Sequence, residues 1–327
     1  VADFYKGRTI TLVVGYGPGG GYDIYARLLA RHMSRHIPSS PSITVQNMPG
    51  AGSLRAANYI YAVAPKDGST IGAIDRQVVF STLLGTAGNI QFDQRRVTWI
   101  GSLSTYADDA FMLFVRRDAP SKSLDELRDA SRSSVIVGGI ADGSSDNDVV
   151  NLLQFSAGLN LRLIPGYPDG NSVSLALDRG EVQARMLGLS ATQASRPEWL
   201  SASGPVHPVV QFGRPTRHPL FPDVPTAREL AKDKLSLAMI EIAELPYLLS
   251  RPFIAPPDVP ADRVLALQEA LMATASDQAL LEEAKRLKID ISPAHGRDAV
   301  KLIDAISSAA PETLDALRNL FTSSAQK

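Results

Sequence analysis

Short apolar, β-branched runs alternate along this chain with longer stretches whose apolar residues recur every three or four positions. The first kind has the length of a buried strand, the second the period of a helix with one buried face. Thr9 to Val14 (TITLVV) opens the series as a strand. Ile24, Leu28, Leu29, Met33 and Ile37 then mark one face of a helix over 23–37, with Asp23 as its N-cap and Pro38 as its stop. A strand at 43–45, a helix at 53–63 and a strand at 70–74 follow, the last opening into a loop at Asp75, Arg76 and Gln77. A second series begins at Phe111. It reads as a strand at 111–115, then a helix from the capping box of Ser123 and Glu126 to 130, then a strand at 135–137. The loop 141–145 enters a helix ending near Phe155; a strand at 161–164, a helix at 172–179 closed by Gly180, and strands at 182–187 and 207–212 complete it. Beyond Pro260 the pattern is helical, with apolar faces at 264–271 and 280–287 and a last helix over 299–320. This alternation predicts an α/β fold with parallel-rich sheets and helices on both faces.

Composition narrows the classes. At 327 residues and 44% hydrophobic content the chain can bury a substantial core, and the length suggests two domains. A formal net charge of −1 argues against nucleic acid as a partner, because phosphate neutralisation needs clustered Lys and Arg. The absence of cysteine excludes disulfides, thiol catalysis and cysteine-ligated metal. No apolar run reaches 18 residues, so no transmembrane helix is expected.

The richest local signal is the loop Gly15-Tyr16-Gly17-Pro18-Gly19-Gly20-Gly21, with five glycines in seven positions between a strand and a helix. The first turn of a helix carries unpaired N–H groups and a partial positive charge. Glycines let a ligand come close to that backbone, so the junction suits an anion, carboxylate or phosphate. Two other readings stand beside this one. Gly15, Gly17 and Gly20 fit the dinucleotide spacing G-x-G-x-x-G, but residues 24–66 contain no acid to hold a ribose hydroxyl, and an NADP-type or phosphate-binding enzyme would need an arginine in its place. The third reading is a turn without a ligand.

Other chemistry is missing. There is no P-loop motif, and Gly188-Leu189-Ser190-Ala191-Thr192 lacks the second glycine of a nucleophile elbow. His32 and His36 have helical metal-ligand spacing without an acid nearby, and read as a solvated helix face. His207, His218 and His295 are isolated. Asp142, Asp146 and Asp148 do not match a calcium loop. No catalytic constellation, metal site or cofactor site is expected. Tyr16 and Tyr22 either stack on an aromatic ligand or pack, and Arg76 either pairs with a distal carboxylate or lies on the surface. Arg185, in an expected strand, is a surface residue or a second ligand contact. The two α/β halves each present a glycine-containing loop at a strand's C-terminal end, which suits a ligand cleft between domains.

Several segments resemble the solute-binding proteins of tripartite tricarboxylate transporters, the Bug or TctC-like family. They are Ile10 to Val14 with Pro18-Gly19-Gly20-Gly21-Tyr22-Asp23, Val45-Gln46-Asn47-Met48-Pro49-Gly50-Ala51-Gly52, Ala64-Pro65-Lys66-Asp67-Gly68, Gly180-Glu181-Val182, Pro222-Asp223-Val224-Pro225-Thr226 and Ala255-Pro256-Pro257-Asp258-Val259-Pro260. The resemblance implies a two-lobed periplasmic-binding-protein (Venus flytrap) fold of type II-like build. One lobe would be residues 1–105 with 222–327, the other 106–221. It implies a periplasmic, non-enzymatic monomer whose signal peptide is absent from this form. The protein would capture a small organic (di)carboxylate and deliver it to membrane permease subunits; a sensor component of a two-component system is the alternative. The expected contacts are Tyr16, Gly17, Pro18, Gly19, Gly20, Gly21, Tyr22 and Asp23 in the first loop, Asn47 after the second strand, and Asp75, Arg76 and Gln77 after the third. The other half would supply Gly143, Ser144, Ser145, Asn147, Tyr167, Asp169, Leu189 and Ser190. Gly19, Gly20 and Gly21 would hold a carboxylate, Ser144 and Ser145 would close on it, and Asp23 would cap and orient without touching the anion. The family places a Gly-Ser-rich segment with a His, and a Tyr-x-Gly segment, in the second lobe. Here those positions read Asp142-Gly143-Ser144-Ser145-Asp146-Asn147 and Gly166-Tyr167-Pro168-Asp169-Gly170.

Overall fold

A computed structural model describes residues 1–86, 89–140 and 143–324 and contains two sheets. Asp142 lies outside the described residues. The chain first lays down β1 (Thr9–Val14), β2 (Ser42–Asn47), β3 (Thr70–Ala73) and β4 (Thr98–Ser102). It then crosses to a second sheet with β5 (Phe111–Arg116), β6 (Val135–Gly138), β7 (Leu161–Ile164), β8 (Ala184–Gly188) and β9 (Val206–Phe212). It returns to the first with β10 (Pro252–Ala255) and β11 (Ala294–His295). The strand orders are β11-β4-β10-β3-β1-β2 and β7-β6-β8-β5-β9.

Helices α1 (Ala2–Tyr5), α2 (Gly21–Met33), α3 (Leu54–Ala62) and α4 (Arg76–Leu84) belong to the first pass. Helices α5 (Leu124–Arg128), α6 (Ser145–Ala157), α7 (Gly170–Arg179) and α8 (Leu189–Ser195) belong to the second. The last stretch adds α9 (Lys234–Glu244), α10 (Ala261–Ala275), α11 (Gln278–Leu287), α12 (Gly296–Ser307) and α13 (Pro311–Ser324).

The sheets are mixed, and the reason lies in the two crossings. Strands joined by a helix within one sheet pair in parallel, as β1 does with β2 and β3 and β6 does with β7 and β8. The strand that first enters each sheet from the other one is reversed. β5 is antiparallel to β8 and β9, and β10 is antiparallel to β3 and β4. One buried cluster under the first sheet joins Leu12, Tyr25, Leu28, Leu29, Phe253 and Leu271. A larger one runs from Ile60 and Phe80 through Leu113 and Leu152 to Tyr247 and Leu317, so apolar packing is continuous between the sheets.

Several expectations are corrected here. Helix α2 begins at Gly21 with Gly20 as its N-cap, not at Asp23. Arg76 and Gln77 are not in a loop but open α4, because the Asp75 carboxylate accepts the Gln77 N–H at 2.7 Å and caps the helix directly off β3. The helix expected over 299–320 is two, α12 and α13, divided before Pro311, which fits a first helical turn and no later one. Strands β4 and β10 are additions; β10 is buried throughout and β4 nearly so, which leaves no alternation to read. His32 is buried and His36 is only partly exposed, so they do not form a solvated face. Their Nε2 atoms lie 2.6 Å from Glu283 and 2.7 Å from Asp277, forming a polar seam between α2 and α11.

Candidate functional site

The β1–α2 loop is held from behind. The Asp23 carboxylate accepts the Gly19 N–H at 2.9 Å and pairs with Arg27 at 2.9 Å. Asn47 donates to Asp23 at 2.9 Å and to the Tyr16 carbonyl at 2.8 Å, and accepts from Arg27 at 3.0 Å. Burial works to raise the Asp23 pKa, but the bonds from Arg27, Gly19 and Asn47 outweigh it and hold the carboxyl below its ordinary value. Gly19 takes φ +82°, a conformation that favours glycine. With the loop so braced, the Gly21 and Tyr22 amides, which have no acceptor within the helix, face the cleft.

A second helix start faces the first. Asp169 caps α7 by accepting the Ser172 N–H at 2.8 Å, and Gly170 and Asn171 open that helix at the cleft wall. The contact is close: a Cβ on Gly17 would lie 2.7 Å from an Asp169 carboxylate oxygen. Beside it Tyr16 stacks on Tyr22 at 5.2 Å and packs with Ile140, Val173 and Tyr167. The Tyr16 hydroxyl donates to Asp75. The Tyr16 ring thus packs against these neighbours while also lining the cleft. Burial, then Asp75, keeps its hydroxyl protonated well above the ordinary pKa.

Between these walls lies a cleft in which about 70 Å³ is open to the centre of a water-sized sphere. At ~10–15 Å³ per water that is room for roughly five or six waters, the scale of a small organic acid. Three arginines and two aspartates line it: Arg76, Arg185, Arg251, Asp75 and Asp146. Arg185 is buried and committed. It donates to the Gly170 carbonyl and the Ser174 hydroxyl and lies 3.5 Å from Asp146. Burial pushes the Asp146 pKa up to about 6 against the pull of Arg185. Asp75 is likewise committed, to the Gln77 N–H, the Tyr16 hydroxyl and, at 3.3 Å, the Ser145 hydroxyl. Arg76 donates to the Ser250 carbonyl at 3.0 Å and the Ser145 hydroxyl at 3.4 Å, with its guanidinium 4.0 Å from the Tyr247 ring centre. Arg251 donates to the carbonyl and hydroxyl of Ser250 at 3.0 and 2.7 Å.

Of the residues expected from sequence, Tyr16, Gly17, Gly19, Gly20, Gly21, Tyr22, Asp75 and Arg76 line the cleft. The others do not. Pro18 is exposed, and Asp23, Asn47 and Asp169 brace loops. Gln77 donates to Asp148 at 2.6 Å, and Tyr167 packs at the edge of two apolar clusters. Ser144 and Ser145 do not reach the cleft surface. They are buried where α6 starts, against the loop at 51–53 and Arg76; a Cβ on Gly52 would meet the Gly143 carbonyl at 2.9 Å. Asn147 turns inward to the Ile140 carbonyl. Leu189 is core, and Ser190 donates its N–H to Asp109 and accepts the Asp290 N–H at 3.0 Å. Sequence reasoning missed Arg251, Tyr106, Asp146, Gly170, Asn171 and Ser174. Arg251 had a signal: it is the lone charge in the apolar run Leu245-Pro246-Tyr247-Leu248-Leu249-Ser250-Arg251-Pro252-Phe253-Ile254-Ala255.

Comparison with known proteins agrees with this build. Residues 25–314 match the family described as "Tripartite tricarboxylate transporter family receptor". A UPF0065 protein of Bordetella pertussis is 26% identical over 285 residues, covering 86% of this chain and 80% of that protein. Another UPF0065 protein, from Cupriavidus necator, is 31% identical over 235 residues, covering 70% of this chain and 66% of that protein. Among solved structures, MatC of Rhodopseudomonas palustris with bound malate aligns with a TM-score of 0.71 at 21% identity, covering 96% of this chain and 99% of that one. The periplasmic binding protein BugD aligns at 0.73 and 21%, covering 97% and 98%. The structural likenesses are likenesses of fold, that of the two-lobed periplasmic binding proteins.

Proposed function

Because this chain belongs to the tripartite tricarboxylate transporter receptor family, we propose that it captures a small organic carboxylate in the cleft and passes it to the membrane subunits of such a transporter. The observation that carries this reading is the meeting of two helix N-termini, Gly21–Tyr22 of α2 and Gly170–Asn171 of α7, in one small enclosed space. Each supplies unpaired amides and the positive end of a helix dipole, and no hydrolytic or redox group is needed to account for them. A carboxylate docks on the α2 amides, with α7 on the opposite wall. Solved relatives in fold carry malate and adipate. A family member of this kind works in the periplasm, where ligand capture comes before delivery. Asp23 acts as an orienting residue behind the loop, since it is occupied by Arg27, Asn47 and the Gly19 N–H.

The first test is a thermal-shift screen of the purified protein against aliphatic and aromatic mono- and dicarboxylates, with NADP and phosphate alongside. A ligand at 100 times its dissociation constant adds about 2.7 kcal/mol, a shift of a few degrees. Shifts from a carboxylate and none from nucleotide or phosphate are expected; shifts from nucleotide alone overturn the reading. Gly20→Val serves as the site control. A Cβ at Gly20 meets nothing within 4 Å, so the fold should persist while the branched side chain obstructs the α2 amides. Unchanged carboxylate binding by Gly20→Val would place the ligand elsewhere.

A further inference from the structure

Arg251 is 4% exposed, and its Nε has no hydrogen-bond partner among the described residues. Its engaged nitrogen, Nη1, is held by Ser250. The Nη2 end points the other way, into the cleft. It lies 3.4 Å from where a Cβ on Gly21 would sit and 3.6 Å from where one on Gly188 would sit. A helical Cα–Cβ bond leaves the axis outward with a tilt toward the N-terminus, so this guanidinium lies beside the first turn of α2. Arg76 lies close by, and both guanidiniums approach the rings of Tyr22 and Tyr106. Among the described residues, neither arginine has a carboxylate within 4.0 Å. The ion pairs of this cleft use Arg185 and Asp146 instead. Asp75 is saturated by three other donors. Asp109 lies beneath Gly188, gives Oδ1 to the Ala110 and Ser190 amides and leaves Oδ2 unpaired among the described residues, so it supplies Arg251 with a nearby charge but no ion pair within 4.0 Å.

Two buried guanidiniums of like charge in one aromatic cage repel each other and have lost their hydration. Such an arrangement is stabilised by an anion that pairs with them, and a planar guanidinium fork matches a carboxylate. Among the described residues the Nε of each is unpaired, but Arg76 spends both terminal nitrogens, on Ser250 and Ser145, and lies over the Tyr247 ring, whereas Arg251 spends only Nη1 and leaves Nη2 toward the cleft.

We propose that Arg251, supported by the charge of Arg76, is the contact for a second anionic group of the ligand, making this receptor selective for dianionic acids over monoanionic ones. The proposal rests on the carboxylate-binding reading above and names the ligand class within it. It also moves the distal role from Arg76, one of two roles the sequence left open for that residue, to a residue just before β10.

The test is titration calorimetry with matched acids that differ only in the second carboxylate: succinate against butyrate, glutarate against pentanoate, adipate against hexanoate. With the wild-type protein, the best diacid should bind at least about 100-fold tighter than its monoacid match, the scale of a desolvated charge pair. In Arg251→Met the preference should fall to within about threefold while monoacid affinity is retained, and Arg251→Lys should keep an intermediate preference. Equal binding of diacid and monoacid by the wild type overturns the second-anion role and leaves carboxylate capture standing. Equal loss of both acids in Arg251→Met, with an intact circular dichroism spectrum, overturns it too, by making Arg251 part of the first carboxylate site. Silence toward every acid by a ligand-free wild type overturns the underlying reading itself. Should Arg251→Met fail to fold, the wild-type ratio and Arg251→Lys decide.

Discussion

At the scale of single residues the site is built from absences of side chains as much as from side chains. A Cβ at Gly21 would sit in ordinary contact, 3.4 Å from Arg251 Nη2 and 3.7 Å from the Ala191 Cβ, and the further branches of a valine would have to enter the cleft. Gly21→Val should therefore abolish acid binding with a small change in melting temperature, which calorimetry and a thermal melt check together. A Gly21→Val protein that still binds its acid shows that the α2 amides are not the dock. Away from the cleft, Glu244 is a group out of its preferred state. Burial pushes its carboxyl up to about 7, against the pull of Arg228 2.6 Å away and the Gly213 N–H. Its folded pKa lies above its unfolded value, so the native state holds that proton more tightly. The stability this confers is present below the unfolded value and is lost as pH rises through about 7. Glu244→Gln should thus stabilise the protein by about 2 kcal/mol at pH 8 and leave it unchanged at pH 4. Arg228 keeps Glu241 as a partner in that variant. Chemical denaturation at the two pH values measures this; a loss of stability at pH 8 would instead make the ionised pair net stabilising.

At the scale of elements, the proposed function rests on two helix starts. Helix α7 opens at the cleft wall with Asp169 as its cap, and the same side chain packs against Gly17 on the opposing loop. Asp169→Ala should cost about 1 kcal/mol in unfolding free energy and weaken acid binding by fraying the α7 amides. Asp169→Ser restores the cap and should recover most of both; recovery of stability without affinity would assign the binding role to the carboxylate itself. The glycine loop, Asp23 as its orienting residue and the capping box at Ser123 were legible in sequence, because each is decided within a few residues. Helix α4 was not, since Arg76 and Gln77 look like a polar loop until the Asp75 cap and the second sheet cover them. The same blindness put Ser144 and Ser145 in the cleft. Their composition suits an anion, but α6 begins there with the Gly143–Ser144 backbone against Gly52 and the Ser145 hydroxyl bonded to Arg76 and Asp75.

At the scale of the molecule, contacts between the two sheets converge on the cleft rim. Gln77 reaches Asp148 at 2.6 Å, the Asp290 amide reaches Ser190, and the Gly52 backbone abuts Gly143. We propose that the two sheets with their helices behave as two lobes that close on the ligand, the lobes meeting along these contacts. In this proposal residues 1–105 with 222–327 are one lobe and 106–221 the other, and α9 and α13 pack on α6 across that boundary. A ligand stabilises the closed state only by its differential affinity for it. Added acid should then lower the radius of gyration measured by small-angle scattering, and an unchanged radius would argue for a preformed rigid cleft. Gln77→Ala, which removes a rim contact without touching the cleft lining, should weaken binding several-fold by making closure less favourable. Full affinity in that variant would remove Gln77 from the closing contacts.

The α/β class, the strand and helix that flank the glycine loop, and the family could all be read before any fold was known. They follow from hydrophobic period, capping residues and short motifs, which are local properties of the chain. Which polar groups share the cleft was settled by the packing of the folded chain. Arg251 is 230 residues from Gly21 in sequence and reaches it because β10 enters the first sheet between β3 and β4 after the second crossing. Arg185, which sequence left between surface and site, became a buried strut for α7 because β8 runs through the middle of the second sheet. A charge's partners are set by strand order and lobe contact, and nothing in the spacing of residues along the chain specifies either.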